Sequence, residues 1–82
     1  MDKQQLTRLA NEVLQESDRS ETVNQVYPVD ASIDWMVQFD LKGFPPLPVR
    51  LYERPGRLDQ DIKNELSAAL KKHLATPWQP TI

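Results

Sequence analysis

Ile33, Trp35, Val37, Phe39 and Leu41 are apolar, and Asp34, Met36, Gln38 and Asp40 separate them. A sustained period of two specifies an extended strand with one face turned to a core, and a slip of one residue would exchange its two faces. Leu47, Val49 and Leu51 alternate with Pro48, Arg50 and Tyr52 in the same way. Residues 23–29 repeat the pattern less cleanly, because Gln25 interrupts the apolar parity.

The link between the two clean strands, "GFPPLP", has two readings. A proline-rich segment is already extended and can be displayed as a ligand for another domain. It can equally be a hairpin loop entering a strand. With Leu41 opposite Leu47, residues 42–46 close a hairpin, Phe39 faces Val49 and Val37 faces Leu51, so every apolar residue of both strands shares one face. A displayed ligand would have to leave that register, so the hairpin is expected. Pro48 fits it if the missing N–H lies on an outer edge.

Helices are expected on both sides of this region. Asp2 followed by Gln5 has the form of a capping box, with Met1 and Leu6 in the positions of a hydrophobic staple, so a helix should begin near Lys3. Its apolar stripe is Leu6, Leu9, Ala10, Val13 and Leu14, and the polar run Ser17-Asp18-Arg19-Ser20 ends it. Further on, Arg54-Pro55-Gly56-Arg57 places Pro and Gly where a type II turn needs them. Asp59 is the expected N-cap of a second helix, with Asp61 in its first turn. Ile62, Leu66, Ala69, Leu70 and Leu74 form the stripe, Lys71, Lys72 and His73 sit near the C-terminal end, and Thr76-Pro77 stops the helix.

The expected fold class is therefore α+β: a two-layer α-β-β-β-α domain with a three-stranded antiparallel sheet of order 1-2-3 and both helices on one face. Residues 1–76 make up this single domain, and residues 77–82 form a C-terminal tail docked on it. The chain of 82 residues is near the size at which one core suffices. It has no Cys, which excludes disulfides and thiolate metal sites, and its net charge of −2 provides no field for steering onto nucleic acid. There is no apolar run of membrane-spanning length and no signal-peptide pattern at the start, so no membrane is expected as a partner and a cytoplasmic location is.

Two helices cover one side of such a sheet and leave the other open. If residues 30–32 form the first turn, Val29 faces Ile33 and Tyr27 faces Trp35. The outward row is then Val26, Met36 and Tyr52. Asn24, Gln38 and Arg50 flank it on one side, and Pro28, Asp34 and Arg54 on the other. An apolar row with a polar rim resembles a small interface for a protein partner or a second copy. Two other readings stay open: Trp78 and Ile82 of the tail fold back over the row, or scattered apolar residues have no role. The candidate partner-binding residues are Val26, Met36, Gln38, Arg50, Tyr52, Arg54 and Trp78.

Catalysis finds little support. His73, the only histidine, sits beside Lys71 and Lys72 as a C-terminal helix residue, and no second His or Cys completes a zinc set. Asp34 is placed to meet Arg54 across the hairpin as an ion pair, and neither a phosphate loop nor a nucleophile elbow is present. No catalytic, cofactor or metal site is expected, and the protein is read as non-enzymatic. The competing reading is RNA or single-strand binding through Arg50, Tyr52, Arg54 and Arg57, which combine guanidinium charge with an aromatic ring. The helix–three strands–helix order also resembles the layout of double-stranded-RNA-binding domains, over most of the chain and in element order alone. Where that family carries lysines at the start of its second helix, this sequence has Asp59 and Asp61.

Overall fold

The computed structural model describes residues 2–23, 25–29, 34–52, 54 and 56–75, and runs α1 (Lys3–Glu16), β1 (Gln25–Pro28), β2 (Trp35–Phe39), β3 (Leu47–Leu51) and α2 (Asp59–Ala75). Helix α1 starts where Asp2, in extended backbone, accepts a hydrogen bond from the Gln5 amide at 2.8 Å. It ends on Asp18 at φ 59°, with the Arg19 amide bonded to the Leu14 carbonyl and the Asp18 amide to that of Gln15. This is a Schellman stop in which Asp occupies the left-handed position that usually favours glycine. Gly56, at φ 74°, has the backbone that the third position of a type II turn requires.

The sheet is antiparallel with order β1-β2-β3, and one hydrophobic cluster joins its inner face to both helices. Leu6, Leu9, Ala10, Val13 and Leu14 come from α1, Ile62, Leu66 and Leu70 from α2, and Val26, Val37, Phe39, Val49 and Leu51 from the strands. Helix α1 lies over β1 and β2, and α2 over β3. The helices run in the same direction. Gln5 and Arg8 of α1 reach Asp59 at 2.5 and 3.2 Å, and Glu16, a few turns on, receives Lys63 at 2.6 Å.

Asp59 therefore does not cap α2, as its position in the sequence suggests. It is the first helical residue and ties the two helices together, and the paired Gln5 and Arg8 side chains keep its carboxyl below the usual range. Asp61 performs the capping from within the first turn, accepting a hydrogen bond from the Leu58 amide at 3.2 Å. Gln5 is likewise diverted: its side chain goes to Asp59 across the helix pair.

Both strand registers differ from the expected ones. In the β2–β3 hairpin Phe39 pairs with Leu47, Val37 with Val49 and Trp35 with Leu51, a slip of two residues that preserves parity. The loop becomes residues 40–46, and the extra length lets Phe44 pack back against the core. In the β1–β2 pair the slip is one residue: Val26 pairs with Val37, Tyr27 with Met36 and Pro28 with Trp35. An odd slip reverses the faces of β1, so Val26 is 4% exposed in the core and does not belong to the outer row. Burial chemistry decides between the two parities. Val26 carries no polar atom and can go beneath α1 without cost, whereas Tyr27 keeps its hydroxyl in water by facing out, 44% exposed.

Met1, Asn24, residues 30–33, Glu53, Pro55 and residues 76–82 lie outside the described residues, and with them the expected first turn, the staple residue Met1, Trp78 and the docking of the tail.

Candidate functional site

Among the described residues, the face of the sheet away from the helices presents Gln25 and Tyr27 from β1, Met36 and Gln38 from β2, Pro48 and Arg50 from β3, with Asp34 and Tyr52 just beyond the strand ends. The registers set Tyr27, Met36 and Arg50 side by side in one row, and Gln25, Gln38 and Pro48 in the next. Met36 is half-buried at the centre, and Tyr52 is 47% exposed.

Arg50 organises this surface. Its Nε and Nη2 both donate to Asp34 Oδ2, at 3.1 and 2.8 Å, and its guanidinium lies 5.3 Å from the centre of the Tyr52 ring. The hydrogen bond to the Asp34 carboxylate, and the charge behind it, raise Arg50 above its ordinary pKa. Asp34 is only 8% exposed, so the ion pair forms a recessed floor with the arginine lying over it. The expected Asp34–Arg54 pair is replaced by Asp34–Arg50, because the two-residue slip moves Arg50 into diagonal reach of Asp34.

The remaining candidates separate from this face. Arg54 is exposed beside a polar cleft that Gly56, Arg57, Asp61 and Glu65 also line, between the segment leading into α2 and the first turns of that helix. Arg57 braces the turn into α2. It donates to the Tyr52 carbonyl at 2.6 Å and pairs with Glu65, with its side chain 9% exposed. Gln38 bonds locally to Asp40 at 3.0 Å. The outward placement of Tyr27 is not legible from periodicity, because both parities of residues 23–29 carry apolar side chains. Its hydroxyl was the available signal that it faces out.

Each outer edge of the sheet is blunted by a proline. The Val29 amide donates to the Asp34 carbonyl at 3.0 Å, one step beyond the Pro28–Trp35 pair. Hydrogen-bonded and non-bonded pairs alternate in an antiparallel ladder, so Tyr27 bonds toward β2 while the Pro28 nitrogen points away from it. The same alternation turns Leu47 and Val49 toward β2 and leaves the Pro48 nitrogen on the outer edge. Each free edge thus carries a proline where an incoming strand would seek an N–H.

The proline segment is a loop. His73 Nε2–H donates to the Pro45 carbonyl at 2.8 Å, its ring lies 5.7 Å from that of Phe44, and the Arg19 guanidinium sits 5.9 Å from the centre of the Phe44 ring. Glu21 completes this clasp. It accepts Arg19 Nε at 3.0 Å, a second bond from Arg19 Nη2, and the Lys42 amide at 3.1 Å. The hydrogen bonds from Arg19 in the first place, and from the Lys42 amide, lower its pKa to about 2. Asn11 Oδ1 accepts the Val23 amide at 2.7 Å and so guides the segment entering β1.

Comparison of the chain with family models, with curated proteins and with solved structures finds no match to any of them. Among the described residues, no cluster of three or more His, Asp or Glu side chains is arranged to hold a metal ion, and no helix is long and apolar enough to cross a membrane.

Proposed function

We propose that the protein is a non-enzymatic interaction or assembly module, acting in the cytoplasm, whose working surface is the open face of its sheet. The observation that carries the reading is the row Tyr27–Met36–Arg50 with Tyr52 beside it. Two exposed aromatic rings, a central methionine and an arginine held in place by Asp34 are grouped on the side that the helices leave uncovered. Tyr, Met and Arg are residue types enriched at protein interfaces, where a rigid ring or an immobilised guanidinium loses little entropy on contact. The proline-blunted edges favour contact through the face over strand addition.

The RNA-binding alternative is weaker on the same observations. Arg50 is already paired with Asp34, Arg57 with Glu65 and the Tyr52 carbonyl, and the N-terminal end of α2 displays Asp59 and Asp61. Phosphate binding draws on uncommitted positive charge, and of the four residues only Arg54 offers it here among the described residues.

Crosslinking in cell extract and of the purified chain at about 1 mM, followed by mass spectrometry, tests the reading. Met36→Asp and Tyr52→Asp should each remove the crosslinked species formed by the wild type while leaving the circular dichroism spectrum intact. An unchanged set of crosslinks in both folded variants refutes the role of the face. Retention on RNA at low salt that weakens as salt rises, with those crosslinks absent, would transfer the function to the alternative.

A further inference from the structure

We infer that the partner of the open face is a second copy of this chain, docked sheet to sheet about a two-fold axis that runs along β2; this rests on the reading of that face as the interaction surface. The order of side chains within the central row makes the face complementary to itself. Tyr27, Met36 and Arg50 lie on β1, β2 and β3 at one level. A two-fold axis between two such faces, parallel to the strands, keeps β2 over β2 and exchanges β1 with β3.

Met36 then meets Met36 of the second copy, and the ring of Tyr27 meets the second copy's Arg50, twice over by symmetry. Each contact is favourable: thioether against thioether at the centre, a cation against an aromatic face on either side. At the next level Tyr52 comes over the second copy's Val29, since Val29 lies opposite Asp34 in the ladder. Asp34 lies on the axis and faces its own copy, but it is recessed at 8% exposure beneath the Arg50 that neutralises it. The other in-plane axis, across the strands, would set Arg50 against Arg50 and Tyr27 against Tyr27. That arrangement forfeits both cation–ring contacts. The row is therefore self-complementary in one orientation, the aligned packing that antiparallel sheets commonly adopt about 10 Å apart.

The size of the face sets the strength. Three strands of about five residues span roughly 14 by 17 Å, well under the ~800 Å² per partner of a stable interface. The dimer is accordingly transient, monomeric at micromolar concentration and substantially associated near 1 mM.

Sedimentation equilibrium on the full chain tests this. Wild type at roughly 1 mM should show a mass average well above the monomer. Met36→Lys and Met36→Glu, each placing like charges on the axis, should both be monomeric, and their equimolar mixture should recover association at least as strong as wild type. In a companion dilution series followed by NMR, the concentration-dependent amide shifts of wild type should centre on Tyr27, Met36 and Arg50. A wild type that stays monomeric at 1 mM overturns the inference, as do shifts centred on the helices. Two folded variants whose mixture stays monomeric overturn the two-fold along β2. The two proposals can fail separately: a monomeric wild type whose crosslinks in extract still depend on Met36 loses self-association only, whereas unchanged crosslinks as well remove the role of the face.

Discussion

The two faces of this sheet are built by different forces. On the inner face Val26, Val37, Phe39, Val49 and Leu51 are buried against two helices, and their contacts are apolar and non-directional. On the outer face, position is set by directional pairing, with Arg50 held by two bonds to Asp34 and stacked over Tyr52. The inner face thus carries stability. The outer face carries little of it, because its order comes from a few side-chain contacts, and it is there that the proposed recognition role falls.

Neighbouring residues of β1 should separate the two faces most strongly. Val26→Asp puts an uncompensated carboxylate beneath α1 and should cost about 4 kcal/mol or more, enough to unfold a domain of this size. Tyr27→Asp, one position along, should change stability by less than about 1 kcal/mol. Urea denaturation followed by circular dichroism checks both, and equal losses at the two positions would mean that β1 does not have the faces described.

A second, smaller effect concerns the clasp around the hairpin loop. The Glu21 carboxyl titrates at about 2 in the folded protein against an ordinary value of 4.5, so the stability it contributes is complete above pH 4.5 and is lost as pH falls from there toward 2. Glu21→Gln should cost about 1 kcal/mol at pH 7, after allowance for solvent screening of a partly exposed pair. It should also flatten the decline in stability between those two pH values. Thermal unfolding across pH 2–6 measures it, and an unchanged acid limb would dissociate Glu21 from the loop. Because the clasp lies at the hairpin tip, the variant should leave association through the outer face unaltered.

The smallest effect is a gain. Asp18 holds φ 59°, a conformation that glycine adopts without the steric penalty of a Cβ. Asp18→Gly should raise stability by about 0.5–1 kcal/mol, seen as a rise in Tm of a few degrees. A fall would show that the Asp18 side chain supplies more than the left-handed turn costs it.

Much of this architecture is legible in the chain itself. The stripes Leu6–Leu9–Val13 and Ile62–Leu66–Leu70 identify two helices that need a common core, and the alternation through Trp35, Val37 and Phe39 identifies the face that meets them. These are local signals, since a side chain's face within one helix or strand follows from backbone periodicity alone. The candidate site is legible in part. Met36, Gln38, Arg50 and Tyr52 face outward because their own strands alternate cleanly, whereas the ambiguous parity of β1 puts Val26 on the wrong side.

The chain alone settles the set of elements, their order, and the parity of β2 and β3. Packing of the layers settles how the strands slide against one another: that Val26 and not Tyr27 lies beneath α1, that Arg50 and not Arg54 reaches Asp34, and that Asp59 binds α1 in place of capping α2. The physical reason is that register is a relation between segments. Where both parities of a short strand hold apolar residues, its choice of face follows from which side chain the helices can bury without stranding a polar atom, and that competition exists only once the layers meet.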